Sequence, residues 1–209
     1  MRSSTALYQL RNYPEMFLKN NLVRITGTKD TGVMDYQFGT YTMGMGAPGI
    51  DSPNEIFAFH RQGVFIEDPQ TIKVHHIRMI DWGEDLALDR LEPYQMRSGA
   101  DIMITGQLSD CCFCIGGRNA NMPAVAHVRP RKKQGLNGKA THNEIINRGK
   151  FRFLGNVTKS LGRSTLKPHH HIYTDYAYVI GVRVKNQWQI FAQHVKTPKG
   201  PIQAVTRLL

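Results

Sequence analysis

The fold can be worked out from one stretch, Asp101–Pro130, which reads DIMITGQLSDCCFCIGGRNANMPAVAHVRP. Its alternation of apolar runs and turn residues predicts a strand, a tight turn, a second strand over Cys111–Ile115, a turn rich in Gly and Asn, and a third strand over Ala124–Arg129. Two strands joined by a short turn lie antiparallel, so the start of the first meets the end of the second. The stretch therefore predicts that Cys111 and His127 face each other.

Short apolar runs of the same kind recur along the rest of the chain and predict strands. These runs cover Asn21–Thr26, Glu55–His60, Val64–Glu67, Thr71–Ile80, Ile172–Val184 and Trp188–Val195. Helices are few: one is expected over Thr5–Asn20, broken or restarted at Pro14, and another over Asn143–Phe153. The pattern predicts an α+β protein, a β-sandwich of two mixed or antiparallel sheets flanked by a few helices and long loops.

The chain of 209 residues has no linker-like segment and is interpreted as a single domain, residues 1–209. Its hydrophobic fraction of 41% is ordinary for a globular protein with a sizeable core. No stretch approaches the roughly 20 apolar residues that span a bilayer, and the first residues lack the apolar region of a secretory signal. We therefore expect no membrane span and, for any export, a route without a classical signal peptide.

Positive charge is concentrated in one part of the chain. The formal net charge is +11, and residues 118–167 hold 12 Lys or Arg against the single acid Glu144. Such a block favours an acidic protein surface, nucleic acid or an anionic membrane as partner, and a solvated, solubilising face is the plain alternative. We interpret the alternating aromatics of Tyr173–Tyr178 as a core strand rather than a nucleic-acid platform, and expect a protein partner.

The clustered cysteines and the nearby histidine suggest thiol chemistry. Cys111, Cys112 and Cys114 cannot build a disulfide framework, because neighbouring strand residues rarely meet bridge geometry, and they indicate a reducing environment. A metal site is not expected, because the single C-x-x-C pair lacks a second pair of ligands and the adjacent His169–His171 cannot all face one ion. No cofactor is predicted. A Cys and a His on one hairpin suggest a nucleophile and its base, with simple core packing as the alternative.

Two short segments of this stretch resemble a known group of enzymes. Thr105–Cys111, TGQLSDC, followed by Ala126–Pro130, AHVRP, resembles the catalytic core of the cytotoxic necrotizing factor family of toxin deamidases. It is also similar to the Burkholderia lethal factor deamidase and the bacterial chemoreceptor glutamine deamidases. In these families a Leu-Ser-Gly-Cys or Leu-Gly-Ser-Cys turn carries the nucleophile, a His on the following strand is the base, and in the last two groups a Thr six residues before the Cys belongs to the site. Asp110 departs from the pattern, since the families have Gly or Ser there.

The resemblance implies a catalytic set of Cys111 as nucleophile, His127 as acid and base, and Thr105 beside them, with a backbone carbonyl near Thr105 orienting the imidazole. It implies the fold of the necrotizing-factor-like deamidases and hydrolase activity on a Gln or Asn side chain. The protein would then be a secreted toxin or virulence effector acting on a protein in the cytoplasm of a target cell, with a small GTPase or a translation factor as candidates. A cysteine protease or transglutaminase with the same dyad, and a basic nucleic-acid-binding domain without activity, are the alternatives.

The segment Arg129–Lys139, RPRKKQGLNGK, which leaves the His127 strand, is predicted to recognise the substrate, and a solubilising loop or a nucleic-acid contact are the alternatives. It contains no acid, and it would attract an acidic patch on the target protein and raise the encounter rate. Its substrate-binding candidates are Arg129, Arg131, Lys132 and Lys133.

Other residues compete with this assignment or support it from outside the stretch. Cys112 is the alternative nucleophile, although the Leu-Ser-x-Cys frame and the Thr105 offset both favour Cys111. Asp175 is a candidate carboxylate partner for the imidazole of His127. His75 and His76 lie in an apolar strand, so one should face the core and the other solvent.

Overall fold

The computed structural model describes residues 1–41, 55–61, 66–81, 93–117, 119–129, 153–159 and 170–209. Within these ranges the chain is mostly β with two short helices, which confirms the predicted α+β class with few helices. In chain order the strands are β1 (Leu22–Ile25), β2 (Gly32–Tyr41), β3 (Ile56–His60), β4 (Ile66–Ile77), β5 (Met79–Asp81), β6 (Tyr94–Gln95), β7 (Ile102–Thr105), β8 (Cys112–Gly116), β9 (Ala124–Arg129), β10 (Phe153–Lys159), β11 (His170–Tyr173), β12 (Tyr176–Val184), β13 (Gln187–Val195) and β14 (Ile202–Arg207).

The N-terminal helix is split at the position that the sequence indicated. Helix α1 covers Ser3–Asn12 and helix α2 covers Pro14–Asn20. Proline lacks the N–H that a helix interior needs but fits the first helical turn, so Pro14 ends one helix and starts the next. The predicted helix over Asn143–Phe153 lies outside the described residues except for Phe153, where β10 begins.

The strands form two mixed sheets. The larger has the order β1-β3-β2-β4-β7-β12-β13-β14, and the smaller has the order β11-β10-β8-β9-β5, with β6 also paired to β9. The pairs β1/β3, β4/β7, β5/β9 and β10/β11 are parallel, and the other pairs are antiparallel. Short connections join the antiparallel pairs β8/β9, β12/β13 and β13/β14, whereas each parallel pair needs a longer crossover in the chain.

The larger sheet is nearly closed into a barrel-like shape. The buried Gln193 of β13 brings its two ends together: its side-chain oxygen accepts from the Val23 N–H at 2.9 Å, and its amide nitrogen donates to the carbonyls of Leu18 and Asn21 at 2.6 and 2.7 Å. One core cluster fills this sheet and is covered by the helices, through residues such as Leu10. A buried amide with all these partners holds α2, β1 and β13 in one arrangement.

A second core cluster joins the larger sheet to the smaller one. It contains Met103 of β7 and Ala177 and Val179 of β12 from the larger sheet, together with Phe113 of β8 and Val125 of β9 from the smaller. Because alternate residues of a strand share a face, Thr105 follows Met103 into this space, and His127 follows Val125. The candidate residues thus lie where the two sheets meet.

Two further expectations can be compared with the structure. His75 and His76 are both fully buried, so the prediction that one of them faces solvent is wrong. Both faces of β4 are covered, since His76 stacks on Tyr36 and His75 meets Trp188 edge-on. No helix in the described part of the chain is long and apolar enough to cross a membrane.

Candidate active site

The hairpin of β8 and β9 places Cys111 and His127 on the same face but not directly opposite. Phe113 pairs with His127 and Cys112 pairs with Val128, so Cys111 lies just outside β8 and two residues before the partner of His127. Side chains two residues apart on a strand, and those of directly paired residues, point the same way. Cys111 and His127 are therefore diagonal neighbours, whereas the sequence predicted that they face each other directly.

The imidazole of His127 is held by a hydroxyl rather than by a carbonyl. Thr105 Oγ1 lies 2.7 Å from His127 Nδ1 and donates its own proton to the Ile77 carbonyl oxygen, also at 2.7 Å. A hydroxyl has one proton and a carbonyl can only accept, so Nδ1 carries a proton and donates it to Thr105. The lone pair of His127 is then on Nε2, which is the arrangement that a general base requires.

Nε2 of His127 is buried and has no hydrogen-bond partner among the described residues. Buried polar atoms in folded proteins are nearly always satisfied, and the exceptions often have a chemical role. The side chain of His127 shares its face of the hairpin with that of Cys111. The site thus holds an oriented acceptor without a donor.

The thiol of Cys111 meets a methionine. Its sulfur donates to the Met79 sulfur at 3.7 Å, and Met79 pairs with His127 across the parallel β5/β9 contact. Strands β8 and β5 flank β9 on opposite sides, about 10 Å apart at the usual strand spacing, so the two sulfurs can touch only by leaning over β9. The thiol therefore lies above the strand that carries the imidazole.

Burial decides the charge state of the resting pair. Cys111 is 2% exposed and His127 is 1% exposed. Desolvation raises the pKa of the Cys111 thiol to about 12 and lowers the pKa of His127 to about 3, with a smaller contribution from His76 to the latter. A thiolate–imidazolium pair is thus disfavoured at rest, because two charges would be buried without water. A neutral thiol and a neutral imidazole fit the structure.

The turn that carries Cys111 is fixed at both ends. Leu108 exchanges two backbone hydrogen bonds with Ala177 of β12, at 2.8 and 3.0 Å. The Tyr173 hydroxyl donates to the Cys111 carbonyl oxygen at 2.9 Å. The backbone amides of Asp110 and Ser109 act on the Cys111 sulfur and offset part of the rise in its pKa. Backbone N–H groups do not depend on the side chain, so Asp110, where the resembling families have Gly or Ser, keeps these donors in place.

The remaining cysteines belong to the other face of β8. Cys112 and Cys114 are fully buried, and their sulfurs lie 3.9 Å apart, consistent with alternate positions on one strand. The pKa of Cys112 is raised by its contact with Cys114 and by burial. Neither sulfur shares the face of His127, so the hairpin geometry favours Cys111 over Cys112 as the thiol of the pair.

Asp175 does not partner the imidazole. Its carboxylate lies 3.2 Å from the Lys196 ammonium and accepts from Gln203, and its pKa is lowered chiefly by the hydrogen bond with Lys196. In the described part of the chain there is no group of three or more metal-ligating side chains. Of the predicted substrate-binding residues only Arg129, the last residue of β9, is described, while Arg131, Lys132 and Lys133 lie outside the described residues.

Sequence reasoning missed three contributors to the site. Met79, Ile77 and Tyr173 come from strands far away in the chain, and each reaches the dyad through a long-range contact. Nothing in their local sequence marks them. Comparisons with known proteins add no family: no protein-family model matches the chain, and no curated protein matches it.

Proposed function

We propose that the protein is a cysteine-dependent protein deamidase that converts a Gln or Asn side chain of a target protein to the acid. The observation that carries the proposal is the hydroxyl of Thr105, which lies between His127 Nδ1 and the Ile77 carbonyl. It fixes the tautomer in which Nε2 can accept a proton from a thiol. The Thr is also the residue that the resembling deamidases have at this offset.

Acylation uses the dyad from its neutral state. The Cys111 thiol gives its proton to His127 Nε2 while its sulfur attacks the carboxamide carbon, forming the S–C bond. The Ser109 and Asp110 amides are suited to stabilise the oxyanion of the tetrahedral intermediate. The imidazolium then protonates the amide nitrogen, the C–N bond breaks, and ammonia leaves a thioester on Cys111.

Deacylation reverses the roles of the same groups. Water attacks the thioester carbon and gives a proton to Nε2 of His127. The C–S bond breaks, and the imidazolium returns its proton to the sulfur of Cys111. The net reaction consumes one water and the amide, and yields one ammonia and one carboxylic acid.

Access to the buried thiol requires one movement. Met79 is 37% exposed, and its sulfur accepts the hydrogen bond of the Cys111 thiol. Its strand β5 has three residues and pairs only with β9 among the described strands, and a methionine side chain changes rotamer readily. When an incoming carboxamide displaces Met79, the thiol proton loses its acceptor and can turn to Nε2 of His127. The resting contact thus protects the nucleophile.

The resemblance also gives a setting for the reaction. We propose that the protein is a secreted toxin or effector that acts in the cytoplasm of a target cell, on a protein such as a small GTPase or a translation factor. The segment with Arg129, Arg131, Lys132 and Lys133 would attract an acidic surface of that protein. The two sheets, joined by the second core cluster, would correspond to the two layers of the sandwich in necrotizing-factor-like deamidases.

The test is a comparison of two chains on a cell lysate in heavy-oxygen water. The wild-type chain should create sites where Gln or Asn has become the acid with one heavy oxygen, and Cys111→Ala should create none. His127→Ala should be inactive to a similar degree, since the two residues act as a unit. Cleaved peptide bonds that depend on Cys111 would indicate a protease, and joined amines would indicate a transglutaminase. Identical peptide maps for wild type and Cys111→Ala would refute enzymatic thiol chemistry.

A further inference from the structure

A cleft of about 850 Å³ is lined by Val125 and Ala126, the two residues of β9 that precede His127. It occupies the edge of β9 where β5 ends its pairing at His127 and β6 begins its own at Val125. Ile77 belongs to both places, because its carbonyl oxygen accepts from Thr105 while the residue lines the cleft. The cleft is therefore directly linked to the support of the catalytic base.

The walls of the cleft combine an apolar surface with positive charge. Ile77, Ile80 and Tyr94 contribute apolar surface, and the half-buried Arg78 and the exposed Arg97 stand on its two sides. None of the described lining residues is acidic. A cavity of this size accommodates several side chains, and such a lining suits a ligand that is apolar and negatively charged.

Two acids that adjoin the cleft walls in the sequence are paired with other arginines. Asp30, next to the lining residue Thr31, lies 3.6 Å from the Arg61 guanidinium. Asp101, a few residues after Arg97, lies 2.8 Å from Arg11. Among the described residues no ion pair joins Arg78 or Arg97 to an acid, and arginines bind carboxylates through two parallel N–H groups.

The walls that carry these arginines are held in place by neighbouring elements. The backbone N–H of Arg78 donates to Thr31 Oγ1 at 3.0 Å, which ties β5 to the loop before β2. The Tyr94 hydroxyl lies 3.0 Å from Nδ1 of the buried His75 on β4. A wall that is fixed before binding loses less conformational freedom when a ligand enters.

We propose that this cleft binds an acidic segment of the protein substrate, with carboxylates on Arg78 and Arg97 and an apolar side chain between them. The inference rests on the proposed deamidase function and narrows its substrate class. The target Gln or Asn would lie in an extended, acidic stretch with apolar neighbours. Binding in the cleft would bring the carboxamide to the edge of β9, where Met79 covers the Cys111 thiol.

The test measures binding without turnover. The probe is a short fluorescein-labelled peptide with Glu and Leu on both sides of a central Gln, and the control peptide has Lys in place of every Glu. Fluorescence polarisation is recorded on the full chain carrying Cys111→Ala. The acidic peptide should bind and the basic peptide should not, and binding should weaken as salt rises, because exposed charges are screened.

Matched variants locate the site. Arg78→Gln with Arg97→Gln should weaken binding of the acidic peptide about tenfold, as expected for two solvent-accessible charge contacts. Lys185→Gln with Lys199→Gln removes the same charge from exposed positions outside the cleft and should leave the affinity unchanged. Equal weakening by both pairs, equal binding of the two peptides, or no binding of the acidic peptide would overturn the proposal. Because Cys111 is absent from this assay, its result is independent of whether the lysate experiment detects deamidation.

Discussion

Replacing Thr105 by Val keeps the shape of the side chain and removes the hydroxyl on which the orientation of His127 depends. That hydroxyl makes two buried hydrogen bonds of 2.7 Å, to Nδ1 of the imidazole and to the Ile77 carbonyl. A buried polar group left without a partner costs about 1–3 kcal/mol, and the second bond contributes about 1 kcal/mol more, so the free energy of unfolding should fall by roughly 2–4 kcal/mol. Thr105→Ser retains the hydroxyl and should lose much less.

The effect on reactivity follows from the same bond. Without the hydroxyl, the ring can rotate or exchange its proton between nitrogens, and Nε2 is no longer held as the acceptor for the Cys111 thiol. The rate at which iodoacetamide alkylates Cys111 should fall roughly 10- to 100-fold in Thr105→Val, part of the range that general-base catalysis supplies. The rate is measured by peptide mass mapping at a temperature where both variants are fully folded. If Thr105→Val reacts as fast as Thr105→Ser, the hydroxyl does not position the base.

Four further predictions concern single changes. Met79→Ala should speed alkylation of Cys111 and Met79→Leu should not; equal rates in mass mapping would contradict the shielding role. Cys112→Ser should lower the free energy of unfolding by about 1–3 kcal/mol in urea titrations, because its hydroxyl would be buried unpaired. If Cys111 is no longer alkylated in this variant, the assignment of Cys111 rather than Cys112 as the nucleophile is contradicted. Gly155→Ala should cost about 1–3 kcal/mol, since its Cβ would overlap the Leu208 carbonyl, and removing residues 208–209 should relieve that penalty. The pKa of His127 is 6.5 in the unfolded chain and about 3 in the folded chain, so below pH 6.5 protonation favours the unfolded chain. The stability is therefore full above pH 6.5 and falls below it. At about pH 5 the free energy of unfolding of the wild type should be about 2 kcal/mol lower for this reason, measured relative to His127→Gln.

Local patterns in the sequence were sufficient for most elements of the fold. Proline chemistry located the helix break, and apolar runs located β1, β3, β13 and the strand Ala124–Arg129, because each of these signals lies within a few residues. The run Ile172–Val184 was predicted as one strand, whereas Thr174 and Asp175 separate β11 from β12, which pair in different sheets. Strands β2 and β14 were not predicted, since their polar, half-exposed faces weaken the alternation of apolar residues. The near closure of the larger sheet depends on Gln193, a contact over 170 residues that no local pattern contains.

In the candidate site, too, some features could be predicted from a short stretch of sequence and others could not. Cys111 and His127 were chosen from residue types within one stretch and Thr105 from the resemblance to the toxin deamidases, and the structure brings Thr105 onto the imidazole. The direction of the hydrogen bond between Thr105 and His127 could not be predicted, because it depends on the Ile77 carbonyl of the neighbouring strand β4, which accepts the Thr105 proton. Nor could the neutral state of the pair, since burial arises from the packing of two sheets rather than from the hairpin.

The site combines a firmly held imidazole with a thiol that is covered by a movable side chain. His127 is set by β9, by Thr105 on β7 and by the Ile77 carbonyl on β4, and all three belong to buried strands whose rearrangement would disrupt the core between the sheets. The Cys111 sulfur is covered by Met79, on a three-residue strand at a sheet edge. Thiol attack therefore requires displacement of a flexible side chain, whereas loss of the base requires partial unfolding. Under the proposed function, a substrate that inserts at the edge of β9 would displace Met79 alone, so that binding and activation of the thiol would be one event.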